Sequence, residues 1–345
     1  MTSVGILGAS GYMGAELLRL CASHPRLDVR LATGDSQAGT RVAELYPHLA
    51  AACGDLAFAK YEADACDGLD LVFLALPHGA SQDVVPELDG RVGAVVDLAA
   101  DFRLRDPGLY PAWYGDEHRH PELLAGFAYG LPELFRPDIA AATRVAAPGC
   151  YVTAATLALA PLLRAGLVEP SGIVVDAASG VSGAGRGPKP TTSFGTVDEN
   201  FTAYGLLTHR HTPEIEQALS AASGAEVQVL FTPHLAPMNR GILATCYARP
   251  ATAGLTTEDV LGAVRAAWAG EPFVVALDGS PETKATLGSN AVHVTARADA
   301  RTGWVVAIAA LDNLVKGGSG QGVQCANIFL GLPEGTGLAT AGLYP

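Results

Sequence analysis

One cysteine of the sequence lies where a thiol could act as a nucleophile. Cys150 follows a short apolar segment that ends in Pro148 and Gly149, and it precedes an Ala- and Leu-rich run with helical spacing, 154–163. We therefore expect Cys150 at the N-terminus of a helix, where free N–H groups and the helix dipole lower a thiol's pKa and can stabilise an oxyanion. The pattern fits a thiolate nucleophile and, as the alternative, a small residue capping the helix.

Two histidines form a second candidate site in the segment 209–214, HRHTPE. Thr212 is a good N-cap and Pro213 a good first helical residue, so we expect both histidines in the loop before a helix. A zinc site would need a second cysteine or a spaced carboxylate, and neither is present there. The segment 116–120, DEHRH, raises the same question of a metal site. Its residues lack the helical spacing that would bring ligands together, so it indicates a solvated acidic loop. The sequence predicts no metal site.

The segment 179–186, SGVSGAGR, is suited to binding an anion. It has little side chain to pack, and it combines backbone N–H donors, hydroxyl groups and the guanidinium of Arg186. Such a loop suits a phosphate or a carboxylate. A flexible linker is the alternative.

The elements that would position these residues begin with a strand, a glycine turn and a helix. An apolar run, 4–7, leads into the segment GASGYMG and then into helical spacing over 15–21. Such glycines allow a tight turn and close approach to a pyrophosphate, which the helix N-terminus favours. A purely structural turn is the alternative. The predicted dinucleotide contacts are Gly8, Ala9, Ser10, Gly11, Tyr12, Met13 and Gly14.

Two continuous apolar runs, 69–76 and 94–98, predict buried parallel strands. In open α/β sheets ligands lie beyond the carboxyl ends of the strands, so we expect the residues around His78 and Asp101 to border the cofactor. A solvated loop is the alternative for His78. The predicted contacts after the first run are Pro77, His78 and Gly79.

The second half of the chain predicts a different domain. The segments 172–176, 227–232, 242–248, 291–298 and 304–311 are strand-like with few helices between them, which favours an α+β domain with a mixed or antiparallel sheet. A glycine loop, 316–321, and a helix, 323–330, follow and should pack back on the first domain. We predict an α/β protein with a Rossmann domain, 1–147, completed by 316–345, and a substrate and oligomerisation domain, 148–315.

Composition narrows the class of protein. Over 345 residues, 49% are apolar, 17% are charged and the net charge is −13, which argues against a nucleic-acid partner. We see no signal peptide and no apolar stretch long enough for a membrane span, so the cytoplasm is the expected compartment. The six cysteines form no CxxC pair, and the five other than Cys150 are expected to be buried and inert.

Taken together, these motifs resemble the N-acetyl-gamma-glutamyl-phosphate reductase family, which is related to aspartate-semialdehyde dehydrogenase. The resemblance covers nearly the whole chain in order. Besides the segments already described, it includes ALPHG at 75–79, DLAADFR at 97–103, YGLPE at 129–133, PGCY at 148–151, FTPHLAPMNRG at 231–241 and DNLVKG at 312–317.

The resemblance implies roles for particular residues. Cys150 would be the nucleophile and His209 the acid/base. The implied cofactor is NADP(H), with further contacts from Ser182, Gly183 and Asn313. The implied substrate contacts are Arg103, Ser179, Arg186, His211, Glu214 and Arg240. The domain after residue 148 would also carry oligomer contacts, in a dimer or a tetramer.

Cofactor choice depends on the turn after the second predicted strand, 29–33. An acidic residue at that strand's end is the usual sign of NAD use, and Asp35 lies close to this point. It falls beyond the predicted strand end, so we expect Ser36 and the loop backbone to contact the 2′-phosphate of NADP.

The reaction implied is the NADPH-dependent reductive dephosphorylation of N-acetyl-L-glutamyl 5-phosphate to the 5-semialdehyde, through a Cys150 thioester, in arginine biosynthesis. Its small-molecule partners are this acyl phosphate, the semialdehyde and inorganic phosphate. Two alternatives stay open: a homologous aminoadipyl-phosphate reductase of lysine synthesis, and a non-catalytic NADP-binding regulator, against which the presence of both Cys150 and His209 weighs.

Overall fold

The structure, a computed structural model, describes residues 1–345. Its strands are β1 Thr2–Leu7, β2 Leu27–Ala32, β3 Leu71–Leu74, β4 Ala94–Asp97, β5 Ala128–Tyr129, β6 Arg144–Ala146, β7 Ile173–Ser179, β8 Thr202–Ala203, β9 Val229–Leu235, β10 Ile242–Ala248, β11 Val274–Ala276, β12 Val292–Asp299 and β13 Trp304–Leu311.

Twelve α-helices accompany the strands. They are α1 Tyr12–Ser23, α2 Val42–Leu45, α3 Ala50–Cys53, α4 Ala80–Glu87, α5 Leu109–Tyr114, α6 Pro132–Ala140, α7 Cys150–Arg164, α8 Phe194–Val197, α9 His211–Ser223, α10 Thr257–Ala267, α11 Thr283–Thr286 and α12 Gly320–Phe329. None of them is long and apolar enough to cross a lipid bilayer.

The chain divides into two compact units. Unit 1 comprises Met1–Pro148 and Gly318–Leu338, and unit 2 comprises Gly149–Gly317 and Ala339–Pro345. The residues after the last strand are thus divided, because α12 belongs to unit 1 whereas the final seven residues belong to unit 2.

Unit 1 is built on a parallel sheet with the strand order β2-β1-β3-β4-β6-β5. All residues of β3 and β4 are buried, as expected for strands covered on both faces. Because β1, β3 and β4 run parallel, the turns that follow them lie at one edge of this sheet. The predicted nucleotide-binding architecture is confirmed.

Unit 2 contains a seven-stranded sheet in the order β11-β12-β13-β10-β7-β9-β8. It is mixed, with β7 parallel to β9 and antiparallel to β10, which confirms the predicted mixed sheet. Helix α7 is apolar on all faces and packs against β10, β13, α9 and α10. The prediction of few helices in this half was wrong, since α7 to α11 lie between and beside the strands.

The predicted glycine loop at 316–321 was also wrong. Residues Val315–Ser319 form a wide helical turn that continues directly into α12. Tertiary packing overrides the low helix propensity of glycine at Gly317, where the chain passes close to Cys150. A Cβ at Gly317 would lie 2.7 Å from the Cβ of Cys150.

Candidate active site

Cys150 is the first residue of α7, as predicted. Gly149 is the N-cap in an extended conformation and provides no side-chain cap. The Cys150 side chain is half-buried and lies against Gly317. A thiolate at this position is stabilised by the dipole of a 15-residue helix. The location meets the electrostatic requirement for a cysteine nucleophile.

Helix α9 fixes the residue that precedes Cys150. Glu214 is fully buried, and its Oε1 accepts a hydrogen bond of 2.9 Å from the N–H of Gly149. This contact favours a positioning role for Glu214 over the substrate contact that the resemblance implies.

The ring of His211 packs on the same glycine. A Cβ at Gly149 would lie 2.5 Å from Nε2 of His211, so the imidazole edge faces the backbone just before the nucleophile. His211 is the first residue of α9 and is buried. The structure thus brings Cys150, His211 and Glu214 together within unit 2.

His209 lies two residues before His211 in the chain. Its Nδ1 accepts a hydrogen bond of 3.1 Å from the N–H of His211, so the neutral ring carries its proton on Nε2. Burial, together with the charge of Arg210, lowers the pKa of His209 to about 4. His209 is therefore uncharged at neutral pH.

The predicted start of this helix was wrong by two residues. Arg210 is the N-cap in place of Thr212, and His211 is helical. The ring of His209, three residues before Thr212, accepts a hydrogen bond from the N–H of His211, which allows the helix to begin sooner.

Three aromatic side chains complete the surroundings of the histidine pair. The Tyr151 ring lies edge-on to both histidines, with centroid distances of 5.7 Å to His209 and 5.9 Å to His211. The Tyr204 ring lies 5.5 Å from His209, and its hydroxyl is 3.1 Å from that of Tyr151. Phe231 lies 5.2 Å from His209. Burial raises the pKa of Tyr204 to about 12, so the hydroxyl stays protonated.

Sequence reasoning did not select these aromatic residues. Tyr151 follows Cys150 directly, and that adjacency was an available signal. Tyr204 follows β8 and reaches the site through the pairing of β8 with β9, whereas Phe231 lies on β9 itself, opposite Val175 of β7. The local sequence gives neither residue a role in the site.

The predicted anion loop is ordered by neighbours in unit 2. The N–H groups of Val181 and Ser182 donate to the C=O groups of Met238 and Asn239, at 2.9 and 3.1 Å. Asn313 donates from Nδ2 to the Ser182 hydroxyl at 2.9 Å, and its Oδ1 accepts from the N–H of Gly241 at 2.7 Å. The loop is thus a fixed turn, which contrasts with the flexible-linker alternative.

The other predicted contacts of this region differ in how accessible they are. Ser179 is buried and donates to the C=O of Gly180, and Gly183 packs against it. Arg186 is half-buried at the end of the loop. Arg240 is 28% exposed, and its Nη1 lies 3.5 Å from Oδ2 of the fully buried Asp312. Arg186 and Arg240 are the two arginines predicted as substrate contacts in unit 2. Both side chains are partly exposed, so both stay candidates for binding an anion.

The glycine turn of unit 1 fits a dinucleotide. Gly8 has a φ of +82°, and a Cβ there would lie 2.4 Å from the Ala75 C=O oxygen. A Cβ at Gly14 would lie 2.4 Å from the Ala9 Cα, whereas at Gly11 it would meet only the Gly8 oxygen at 3.5 Å. Gly8 and Gly14 are needed for the turn itself, while Gly11 leaves backbone open to a pyrophosphate at the start of α1.

The turn after β2 contains Asp35 and Ser36. Both are exposed in a short 3-10 helix. The Asp35 carboxylate accepts a hydrogen bond of 3.0 Å from the N–H of Tyr61. Ser36 is exposed beside Asp35, and its contact to a 2′-phosphate stays a prediction.

His78 is held by a buried carboxylate rather than lying in a solvated loop. Its Nδ1 is 2.6 Å from Asp101, which also accepts from the N–H groups of Gly79 and Ser81. Although burial acts to raise it, these hydrogen bonds lower the pKa of Asp101. Burial and the neighbouring Asp101 raise the pKa of Asp97 to about 7. The turn after β3 is therefore rigidly fixed.

Two residues singled out in unit 1, Arg103 and His118, are buried. Arg103 is buried and donates from Nη2 to the C=O of Leu98 at 2.8 Å, which favours a structural role over a substrate contact. The prediction of a solvated loop was wrong for His118, which is buried with Nε2 2.8 Å from the C=O of Asp101. Its ring packs edge-on against Phe102 and Tyr110.

Cysteine burial follows the prediction with one exception. Cys21, Cys66, Cys246 and Cys325 are buried, but Cys53 is half-buried at the end of α3. Burial raises the pKa of Cys53 above its ordinary value and that of Cys246 to about 12. Nowhere do three His, Cys, Asp or Glu side chains come together as metal ligands.

We predict that iodoacetamide at pH 7 alkylates Cys150 before any other cysteine, because only Cys150 lies at the N-terminus of a long helix. Peptide mapping over time measures the order of labelling. Cys53, the other half-buried thiol, is the internal control, and its labelling first would contradict the assignment.

Comparison with known families agrees with this geometry. Residues 3–142 match the family model of the semialdehyde dehydrogenase NAD binding domain, and residues 150–313 match that of the semialdehyde dehydrogenase dimerisation domain. The chain therefore belongs to the semialdehyde dehydrogenase family.

Relatives that match over nearly the whole chain have a more specific name than the family models. The chain is similar to N-acetyl-gamma-glutamyl-phosphate reductase of Acidothermus cellulolyticus, with 51% identity over 348 residues and 99% of each chain covered. It is also similar to the protein of that name from Magnetococcus marinus, with 46% identity and coverage of 99% and 98%.

Solved structures share the fold at low identity. Aspartate semialdehyde dehydrogenase II from Vibrio cholerae, complexed with ASA, matches with a TM-score of 0.69 and 15% identity, over 96% of this chain and 98% of that chain. The Candida albicans aspartate semialdehyde dehydrogenase with NADP matches with a TM-score of 0.69 and 16% identity, over 96% and 99%.

Proposed function

We propose that this protein is an NADPH-dependent N-acetyl-gamma-glutamyl-phosphate reductase of arginine biosynthesis, acting in the cytoplasm. The observation that carries the proposal is the position of Cys150 at the start of α7, with His211 and Glu214 in contact with the preceding Gly149. The chain is also 51% identical to a reductase of that name. Unit 1 would bind the cofactor, and unit 2 would carry the nucleophile, the substrate and the oligomer contacts. The predicted domain bounds, 1–147 with 316–345 and 148–315, stay a proposal.

The first chemical step uses the thiolate of Cys150. Its Sγ attacks the acyl carbon of the mixed anhydride, the bond from that carbon to the phosphate oxygen breaks, and inorganic phosphate leaves with the electron pair. A thioester on Cys150 results. N–H groups at the start of α7 suit the oxyanion that develops during the attack.

The second step reduces this thioester. NADPH, when bound, supplies the hydride that converts the thioester to a thiohemiacetal. An imidazole beside the sulfur then moves the proton between the thiohemiacetal oxygen and the departing thiolate, and the semialdehyde is released. The bond from carbon to Sγ breaks, so the free cysteine is regenerated.

The residue that moves this proton is one of the two histidines. The resemblance assigns the role to His209, whereas the contact of the His211 Nε2 edge with Gly149 favours His211. His209 already uses Nδ1 to cap α9 and is held neutral by its low pKa. We therefore propose His211 as the acid/base, with His209 as its positioning neighbour.

Turnover in the reverse direction tests the function. The assay contains N-acetylglutamate 5-semialdehyde, phosphate and NADP⁺, and NADPH formation is followed. We expect phosphate-dependent NADPH formation. The matched substrate is N-acetyl-aminoadipate semialdehyde, one methylene longer. A higher kcat/KM with the longer substrate would favour the lysine-pathway alternative, and no turnover with either would favour a non-catalytic regulator.

We predict a preference for NADPH over NADH of about tenfold or more in kcat/KM, because hydrogen bonds to a charged 2′-phosphate contribute about 1.5–3 kcal/mol. The Asp35 carboxylate accepts a hydrogen bond from the N–H of Tyr61, and the neighbouring Ser36 is exposed and can contact the phosphate. Steady-state kinetics with both cofactors measure the ratio. Ser36→Ala should reduce it, and an equal or higher value with NADH would assign Asp35 to the ribose.

A further inference from the structure

We propose that Asp312 is a positioning residue that orients the guanidinium of Arg240 toward an anionic group of the substrate. This role rests on the proposed function, in which Arg240 is a candidate substrate contact. Asp312 follows β13 directly, and its side chain is fully buried in unit 2. A buried carboxylate costs free energy unless its oxygens are paired, so its partners indicate what it does.

Arg240 lies beside the predicted anion loop, 179–186. The N–H of Gly180 donates to the C=O of Gly241 at 2.9 Å, and a Cβ at Gly180 would lie 2.7 Å from the backbone nitrogen of Arg240. The Arg240 side chain is 28% exposed, and its Nη1 lies 3.5 Å from Oδ2 of Asp312. A guanidinium carries five N–H donors in a rigid fork. It can therefore contact a carboxylate on its buried side and a substrate anion on its exposed side.

The Asp312 carboxylate is itself held by three backbone N–H groups. Its Oδ1 accepts hydrogen bonds from Leu314 and Val315, at 2.8 and 3.2 Å. Its Oδ2, the oxygen that faces Arg240, accepts one of 2.7 Å from Gly288. Donors on both oxygens leave the carboxylate a single orientation. The negative charge beside Arg240 is therefore fixed in place.

The C-terminal residues support the donor at Gly288. The N–H of Leu343 donates to the C=O of Leu287 at 2.7 Å, and a Cβ at Gly288 would lie 3.0 Å from Cδ1 of Leu343. The turn that carries the Gly288 N–H is thus held by the last residues of the chain, which belong to unit 2. Distant segments of unit 2 therefore act together to fix one carboxylate.

An arginine oriented in this way binds an anion at a lower entropic cost. A long side chain that is free before binding loses rotamer freedom when it is ordered, and that loss weakens binding. The charge of Asp312 acts in the opposite direction, since a negative group near the site repels the anion. The three N–H dipoles directed at the carboxylate offset part of this repulsion. We therefore expect the loss of orientation to decide the sign of the effect.

The side chain of Asp312 acts on the anion rather than on the nucleophile. Gly317, which lies against Cys150, donates its N–H to the C=O of Asp312 at 2.9 Å. This hydrogen bond uses the backbone of Asp312 and is kept when only the side chain changes. Loss of the carboxylate should therefore weaken anion binding and change kcat less.

The test compares four variants of the full chain: Asp312→Asn, Asp312→Glu, Arg240→Ala and the double variant of Asp312→Asn with Arg240→Ala. Asparagine keeps one acceptor oxygen but places an amide donor among N–H donors, whereas glutamate keeps the charge and displaces it by one methylene. Asp278→Asn is the matched control, because Asp278 pairs with Arg265 at 2.5 Å and its side chain is 85% exposed. Thermal unfolding checks that each variant is folded.

Binding is measured without turnover. Inorganic phosphate and N-acetylglutamate are the probes, one for a phosphate group and one for a carboxylate, and ligand-detected NMR titration gives each Kd. Steady-state assays in the reverse direction then give KM for phosphate and for the semialdehyde, together with kcat.

We expect Arg240→Ala to raise Kd for one of the two probes by about tenfold or more, as for loss of a hydrogen bond to a charged group. The affected probe shows which anion Arg240 holds. Asp312→Asn and Asp312→Glu should raise the same Kd by about three- to tenfold, the cost of ordering a free arginine side chain on binding. The KM of the matching substrate should rise in parallel. Without Arg240, Asp312→Asn should cause no further rise, and Asp278→Asn should match the wild type.

The proposal fails if both Asp312 variants bind the probe as the wild type does or more tightly, or if Arg240→Ala leaves both probes unaffected. A rise by the same factor in the absence of Arg240 would also overturn it, as would a change confined to kcat or to thermal stability. If the Kd values change as expected but the wild type shows no reductase activity with either semialdehyde, the orienting contact stands and the proposed function fails.

Discussion

Cys150→Ala is expected to lower turnover by at least about 10⁴-fold, because no other group can form the thioester through which the reaction passes. Cys150 is the first residue of α7, and alanine is a good helix former, so the helix should be retained. Steady-state turnover in either direction measures the effect. The affinity for NADPH, measured by fluorescence titration, should stay nearly unchanged.

Cys53→Ala is the matched control, since Cys53 is the other half-buried thiol. It should keep wild-type turnover. If Cys150→Ala retained wild-type activity, covalent catalysis by this residue would be excluded, and a loss confined to Cys53→Ala would move the nucleophile to unit 1.

His211→Asn is expected to lower kcat by about 10²–10⁴-fold, the range for loss of a general acid/base, with a smaller effect on KM. The pH profile of kcat should also lose one limb. The reason is the position of the imidazole, whose Nε2 edge packs on Gly149 next to the nucleophile. Gln at the same position, which keeps more of the volume, should show a similar loss.

His209→Asn is the matched variant for this comparison. It should cost less in kcat and more in stability, because the His209 ring caps the first N–H of α9, and caps of this kind contribute about 1 kcal/mol. Thermal unfolding measures that loss. The reverse ranking of the two kcat values would return the acid/base role to His209, as the resemblance implies.

Much of the fold could be predicted because its signals are local. The apolar run before Gly8 and the glycine turn mark β1 and α1, and the limits of β10 and β13 match the predicted segments 242–248 and 304–311. Predictions failed where tertiary contacts decide. Gly317 is helical because the chain passes close to Cys150 there, and no local propensity reports such a contact.

The candidate active site shows the same contrast between features set by local sequence and features set by tertiary contacts. Cys150 could be located from the apolar helix that it precedes, since the physical reason lies in adjacent residues. Which of His209 and His211 lies beside Gly149 could not be predicted from the sequence. It depends on which ring faces Gly149 where α7 packs against α9. The hydrogen bonds of Glu214 to Gly149 and of Tyr204 to Tyr151 join residues distant in sequence, so these contacts became visible only in the structure.

Trapping the thioester on Cys150 tests the proposed reaction most directly. The enzyme is mixed with N-acetylglutamate 5-semialdehyde and NADP⁺ in the absence of phosphate, so that the acyl group has no acceptor except water. Covalent catalysis by Cys150 predicts a burst of about one NADPH per subunit and an N-acetylglutamyl adduct on the Cys150 peptide by mass spectrometry, both absent in Cys150→Ala. Phosphate added afterwards should discharge the adduct. Steady turnover with no burst, or an adduct on another residue, would contradict a thioester on Cys150.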